Sequence, residues 1–278
     1  MATDGAAQTS IRLEGQIDLA RLQALAAQGR IDTLMLYTEQ LLDSTLATGL
    51  TEAEEIGHLR LLCPVTRSAL RRVIGLRGLH TLELSHLCAP GRLGGFDKAG
   101  DLHSVIAPHC LCESDLCAIA ASPGVHTLDA HASKLTPRAL DAVLEMPRLE
   151  RLLLGGGALT DALAPQLPRG SGILALNLAH APLSRSGLTH VLRMPALREL
   201  DLWATPLQLD DLDMLAGLPQ LENLSLGHWD DERKFDGAAL LAKLAPLPAL
   251  RTVSLDGVRL DPSTRMAFKA RFADFRAI

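Results

Sequence analysis

Apolar and polar residues alternate along this chain in short bursts that recur at a nearly fixed interval. The burst is Leu-x-x-Leu-x-Leu, with Ile, Val or Ala accepted at the apolar places. It occurs at Leu149-Leu152-Leu154, Ile173-Leu176-Leu178, Leu197-Leu200-Leu202 and Leu221-Leu224-Leu226, each copy starting 24 residues after the last. Weaker copies start at Ile31, Ile56, Leu79, Leu102 and Val125, and one more at Leu250. These make ten copies, and an eleventh starts near Gln8 with Ile11 and Leu13. Counting the first apolar residue as position 1, alternation along a strand turns positions 1, 4 and 6 inward and positions 3, 5 and 7 outward.

The remainder of each unit repeats as well. An apolar residue returns at Leu135, Leu159, Leu183, Leu207 and Leu260, and often again at Leu140, Leu188 and Leu212. A proline stands two residues before the next copy at Pro123, Pro147, Pro195, Pro219 and Pro248. Proline cannot continue a helix and disfavours helix in the residue before it. Each unit therefore predicts a short strand, a turn, one or two turns of helix and a stop. One such layer cannot bury its own apolar face, so stability comes from stacking on neighbours.

This pattern resembles the leucine-rich-repeat family, in its bacterial type of about 24 residues per repeat, over residues 8–260. The resemblance implies an α/β fold: a right-handed solenoid with a parallel sheet on the concave face and short helices on the convex face. It implies a single domain over 1–278, with an N-terminal cap and first degenerate repeat in 1–30, repeats in 31–260 and a C-terminal capping helix in 261–278. Ile17, Leu19, Leu22 and Leu25 supply the first cap. Phe268, Phe272 and Phe275, at i, i+4 and i+7, predict one apolar helical face for the second. The chain departs from the family at position 9, where many members carry a loop-tying Asn; here it reads Ser133, Gly157, Ala181, Thr205 and Trp229.

Composition narrows the function. Hydrophobic residues are 47% and aromatics 3%, which suits many thin Leu, Ala, Val and Ile layers. The net charge of −5, with acid and base interspersed, argues against nucleic acid as partner. No run reaches the ~20 apolar residues of a membrane span, and Met1–Ser10 has no basic or apolar region of a secretion signal. Five cysteines, an odd number without a disulfide framework, predict a reduced cytoplasmic protein. The excess of Arg over Lys points to a GC-rich bacterial source. A monomer without metal or cofactor is expected until a partner binds.

Candidate chemistry lies in the outward columns. Nine of the ten histidines stand at positions 2, 3, 7 or 8. His80, His103 and His126 occupy position 2 of successive units, and His86, His109 and His131 occupy positions 8, 8 and 7 of the same units, beside Asp129. Solvated drift, a face that turns cationic near pH ~6 and a transition-metal site using His86, His109, His131 and Cys110 all fit the spacing. A second patch joins Asn177, Asp201, Trp203, Ser225, His228 and Trp229, with Gly227 expected to leave the Trp203 ring uncovered. Directly after Trp229 the period stretches by five residues, and Asp230, Asp231, Glu232, Arg233 and Lys234 follow. Insertions of this kind often lie on a binding face.

No phosphate loop, nucleophile elbow or metalloprotease motif is present. The expected function is a protein-interaction scaffold that binds a partner on its concave face. A sharper form is an inhibitor or immunity protein that neutralises a toxin or enzyme, as ribonuclease inhibitor of the same family covers its target. The alternative is a metal-dependent or thiol enzyme centred on His86, His109 and Cys110.

Overall fold

A computed structural model describes residues 9–87, 93–228 and 235–277. They divide into two compact units, one reaching Asp129 and including Met146–Arg148, the other Ala130–Glu145 with Leu149 onward.

The first unit holds β1 (Ser10–Glu14), α1 (Leu19–Ala26), β2 (Arg30–Tyr37), α2 (Ser44–Thr48), β3 (Glu55–Val65), α3 (Arg67–Ile74), β4 (Thr81–Leu87), β5 (Ser104–Ile106), α4 (Glu113–Ala120) and β6 (Thr127–Asp129). The second holds α5 (Pro137–Leu144), β7 (Arg151–Leu153), β8 (Ala175–Asn177), α6 (Arg185–Val191), β9 (Glu199–Asp201), β10 (Asn223–Gly227), α7 (Gly237–Leu244), β11 (Thr252–Asp256), α8 (Pro262–Arg271) and β12 (Asp274–Ala277). Short 3-10 helices, Ala164–Arg169 and Leu209–Gly217, stand where two of the second unit's repeats lack an α-helix. Within each unit the strands pair in parallel and in chain order.

The repeat phase is borne out at every copy. Positions 1, 4 and 6 are buried from Ile31, Leu34 and Leu36 through Leu197, Leu200 and Leu202 to Leu250, Val253 and Leu255. Each strand thus feeds a row of aliphatic side chains into the layer beneath, and each buried Leu contributes about 1.5–3 kcal/mol of transfer free energy. The helices begin where a capping side chain accepts backbone N–H groups: Thr66 from Ala69, Thr136 from Ala139, and Asp261 from Ser263 and Thr264. Pro137 and Pro262 sit at the first helical turn, where a missing N–H costs nothing.

One regularity lies outside the leucine pattern. The chain leaves the strand through a left-handed residue at position 8: His109 (φ 63°), Ala132 (51°), Gly156 (68°), His180 (60°), Ala204 (54°) and Gly257 (71°). Four of these carry side chains, each at a cost of roughly 1–2 kcal/mol.

The C-terminal segment differs from the single helix expected over 261–278. The helix α8 ends at Arg271, Phe272 is already extended, and Asp274–Ala277 adds β12 to β11. Phe268 and Phe272 are buried, and Phe275 stacks on Phe268 at 4.8 Å from the strand side. The three rings seal the last layer from two elements rather than one. Arg271, at the helix end, donates to the carbonyls of Ala245 (2.9 Å), Leu247 (2.8 Å) and Leu250 (3.4 Å). At the other end, the expected cap segment forms α1 behind a paired strand β1, with Ile17, Leu22 and Leu25 buried. Among the described residues no helix is long and apolar enough to cross a membrane.

Candidate partner-binding face

In the second unit the outward rows run across β7 to β11 in register. Position 3 aligns Arg151, Ala175, Glu199, Asn223 and Thr252; position 5 aligns Leu153, Asn177, Asp201, Ser225 and Ser254. Ala175 is small enough for Arg151 to reach past it and donate to Glu199 Oε2 (3.0 Å from Nη1). Together these side chains line a depression of about 270 Å³. The side chains of Asn223, Ser225, Thr252 and Ser254 make no hydrogen bond among the described residues, so they face the depression with donors and acceptors to spare.

Asn177, Asp201, Trp203 and Ser225, the centre of the expected patch, do come together here, but two of them also hold the backbone. Asn177 Oδ1 accepts from Ala179 N at 3.0 Å and Asp201 Oδ1 from Trp203 N at 2.9 Å. Asn177 Nδ2 donates to Asp201 Oδ2 at 2.8 Å. These turns tie the strand ends to the left-handed corner and do part of what the missing asparagine ladder would do elsewhere. Burial pushes the Asp201 carboxyl up, partly offset by the Trp203 N–H and by His180.

The ring of Trp203 is not uncovered. It is half-buried and lies on Gly227, where a β-carbon would come within 2.6 Å of Cδ1. His180 meets it edge-on at 4.5 Å and 86°. Its Nε1 is buried without a hydrogen-bond partner among the described residues. Glycine at 227 was expected to expose the ring; it instead provides the bed that the ring occupies. His131 uses the same device: a β-carbon on Gly155 would meet its Nδ1 at 2.7 Å, and one on Gly156 its Nε2 at 2.6 Å. His228, expected on the binding face, is buried, with its ring 4.4 Å from Phe235. Trp229, Asp230 and the rest of the charged insertion lie outside the described residues.

In the first unit the position-2 histidines form the expected ladder. His103 N donates to His80 O and His126 N to His103 O, both at 2.9 Å, and the His103 and His126 rings stack at 5.3 Å. The other column is less complete. His109 is exposed on its left-handed corner, Asp129 is half-buried at the end of β6, and the His86 side chain is outside what the structure describes. Between the columns Arg60 grips Glu83 through Nε (2.6 Å) and Nη2 (2.9 Å), and His58 Nε2 lies 3.8 Å from the same carboxylate. Burial outweighs that carboxylate and holds His58 below the ordinary histidine range.

The thiol reading meets an obstacle at Cys110. Its Sγ points at the carbonyls of Ala107 (3.4 Å) and Leu84 (3.9 Å), and burial pushes the thiol up to about 12. A nucleophilic cysteine needs the opposite shift. Among the described residues no group of three His, Cys, Asp or Glu is arranged to hold a metal ion.

Two features escaped the sequence reading. One is the depression, because position 3 was weighed only for histidine and Arg151, Asn223 and Thr252 look ordinary singly. The other is Tyr37, 53% exposed with Arg12 over its ring at 5.6 Å. It stands at position 7 of its repeat, the place of Trp203, and that shared column was the available signal.

No family model matches the chain. No curated protein matches it in sequence. Among solved structures, an internalin from Listeria monocytogenes is similar over 93% of this chain and 70% of its own, with a TM-score of 0.55 and 20% identity. At that identity the likeness establishes the fold alone: leucine-rich repeats stacked as a solenoid.

Proposed function

We propose that this leucine-rich-repeat solenoid is an interaction scaffold and that its second unit grips a protein partner on the sheet face beside Trp203. The observation that carries this reading is the set of polar side chains, Asn223, Ser225, Thr252 and Ser254, that make no hydrogen bond among the described residues around the depression. Polar groups open beside the half-buried ring of Trp203 and the exposed ring of His180 set against it are the composition of an interface centre with its rim. In its sharper form the partner is a toxin or enzyme that the scaffold covers and blocks. Affinity capture from the source organism, followed by titration of the captured partner, tests the reading. Trp203→Ala should weaken binding by on the order of thirtyfold, about 2 kcal/mol. An unchanged affinity moves the interface off this face.

A further inference from the structure

Asn177 and Asp201 occupy the same position in successive repeats and make the same turn, each accepting an N–H two residues on at 3.0 and 2.9 Å. The turn therefore requires one oxygen, and a neutral amide supplies it. The negative charge at 201 is surplus to the turn. It is also unfavourably placed, because burying a carboxylate without a cation is costly. Among the described residues its second oxygen accepts from the neutral Asn177 amide alone. Two arginines of neighbouring strands are committed elsewhere, Arg151 to Glu199 and Arg198 to Glu222. Among the described residues no Lys or Arg pairs with Asp201, and His180 is the one titratable group facing it from the preceding turn.

The depression that Asp201 lines is small. At about 270 Å³ it falls below the usual ~300–1,000 Å³ of small-molecule sites. A single side chain of a larger partner suits it better than a free metabolite. Its lining combines the Asp201 carboxylate, unpaired with Lys or Arg among the described residues, with the Arg151–Glu199 ion pair, the hydroxyls of Ser225, Ser254 and Thr252 and the amide of Asn223. That set asks for a planar cation with several donors, which is guanidinium: it presents five N–H groups in a fixed fork, against three on an ammonium.

We infer that the depression over Asp201 is a socket for an arginine side chain presented by the protein partner. This rests on the proposed binding face and specifies its chemistry. A guanidinium seated there gives the charge at 201, which the turn does not need, a bidentate partner.

The test uses the full chain and N-acetyl-L-arginine amide as probe, followed by amide chemical shifts in an NMR titration. The neutral isostere N-acetyl-L-citrulline amide is the comparison. The arginine probe should give saturable shifts at Asn177, Asn223 and Ser225, at least tenfold stronger than citrulline, and Asp201→Asn should abolish the difference. That variant keeps the turn to Trp203 N, as Asn177 demonstrates, and loses only the oxygen that accepts from Asn177 Nδ2, so its melting temperature should fall by no more than about 5 °C. Equal binding of the two probes, undiminished binding by Asp201→Asn, shifts centred elsewhere, or no saturable shift would each overturn the socket. If Trp203→Ala still weakens a captured partner, the socket alone fails and the binding face stands.

Discussion

Replacing Gly227 by alanine probes the closest approach in the proposed site. A β-carbon there would lie 2.1 Å from the carbonyl oxygen of Asp256 and 2.6 Å from Trp203 Cδ1. The ring can swing aside, but the carbonyl belongs to the paired strand β11, where Gly227 opposes Asp256. Relief requires parting the two strands at that rung and weakens the bond from His228 N to Asp256 O, now 3.1 Å. Overpacking costs about 1–3 kcal/mol, and a weakened backbone bond adds about 0.5–1.5 kcal/mol. The expected loss is about 2–4 kcal/mol, which lowers the melting temperature of a chain this size by roughly 5–15 °C. Gly172→Ala is the control, since its β-carbon would meet nothing nearer than Leu149 O at 3.6 Å. Thermal melts followed by circular dichroism compare the two. If both variants melt within about 1 °C of the parent, the strand spacing and the ring position described for Trp203 are wrong.

Other consequences are as direct. Leu202→Ala, at an inward and buried position, should cost ~2–5 kcal/mol in denaturant unfolding, whereas Trp203→Phe keeps a ring on Gly227, removes a buried N–H without a partner and should leave stability unchanged or raised. Asp261 is held below the usual carboxylate range by the hydroxyls of Ser263 and Thr264 and by their backbone N–H groups. Because its folded value is the lower one, its stabilisation is complete above about pH 4 and is lost as the pH falls below that. Asp261→Asn should flatten this acid limb of a stability–pH profile, and an unaltered limb would remove Asp261 from it. Arg271→Met keeps the packing over Phe272 but removes donors to three carbonyls, so amide exchange should accelerate in α8 and β12 before the rest of the chain.

The layers were legible because burial of a leucine is a property of spacing alone. Even the weak copies at Ile31 and Val125 place positions 1, 4 and 6 inside. What the spacing could not carry was the route of the chain between strands. The left-handed corner at position 8 is filled by His, Ala or Gly with no common residue type. The outward reading of Trp203 was sound in register but ignored the neighbouring glycine as a packing surface. For His228 the fault lay in treating position 8 as solvent-facing when Phe235 folds back over it. The phenylalanines at 268, 272 and 275 fit a helical period and also a helix followed by a strand. The helix stops at Arg271, whose guanidinium takes the carbonyls of Ala245, Leu247 and Leu250, a long-range contact invisible in a local pattern.

Hydrogen–deuterium exchange of the chain with and without its captured partner tests the central claim most directly. Binding on the sheet face of the second unit predicts slowed exchange in peptides covering Ala175–Ala179, Glu199–Thr205 and Asn223–Gly227, with the helices Arg185–Val191 and Gly237–Leu244 unaffected. Protection confined to those helices, with the strands and corners around Trp203 unchanged, would contradict it.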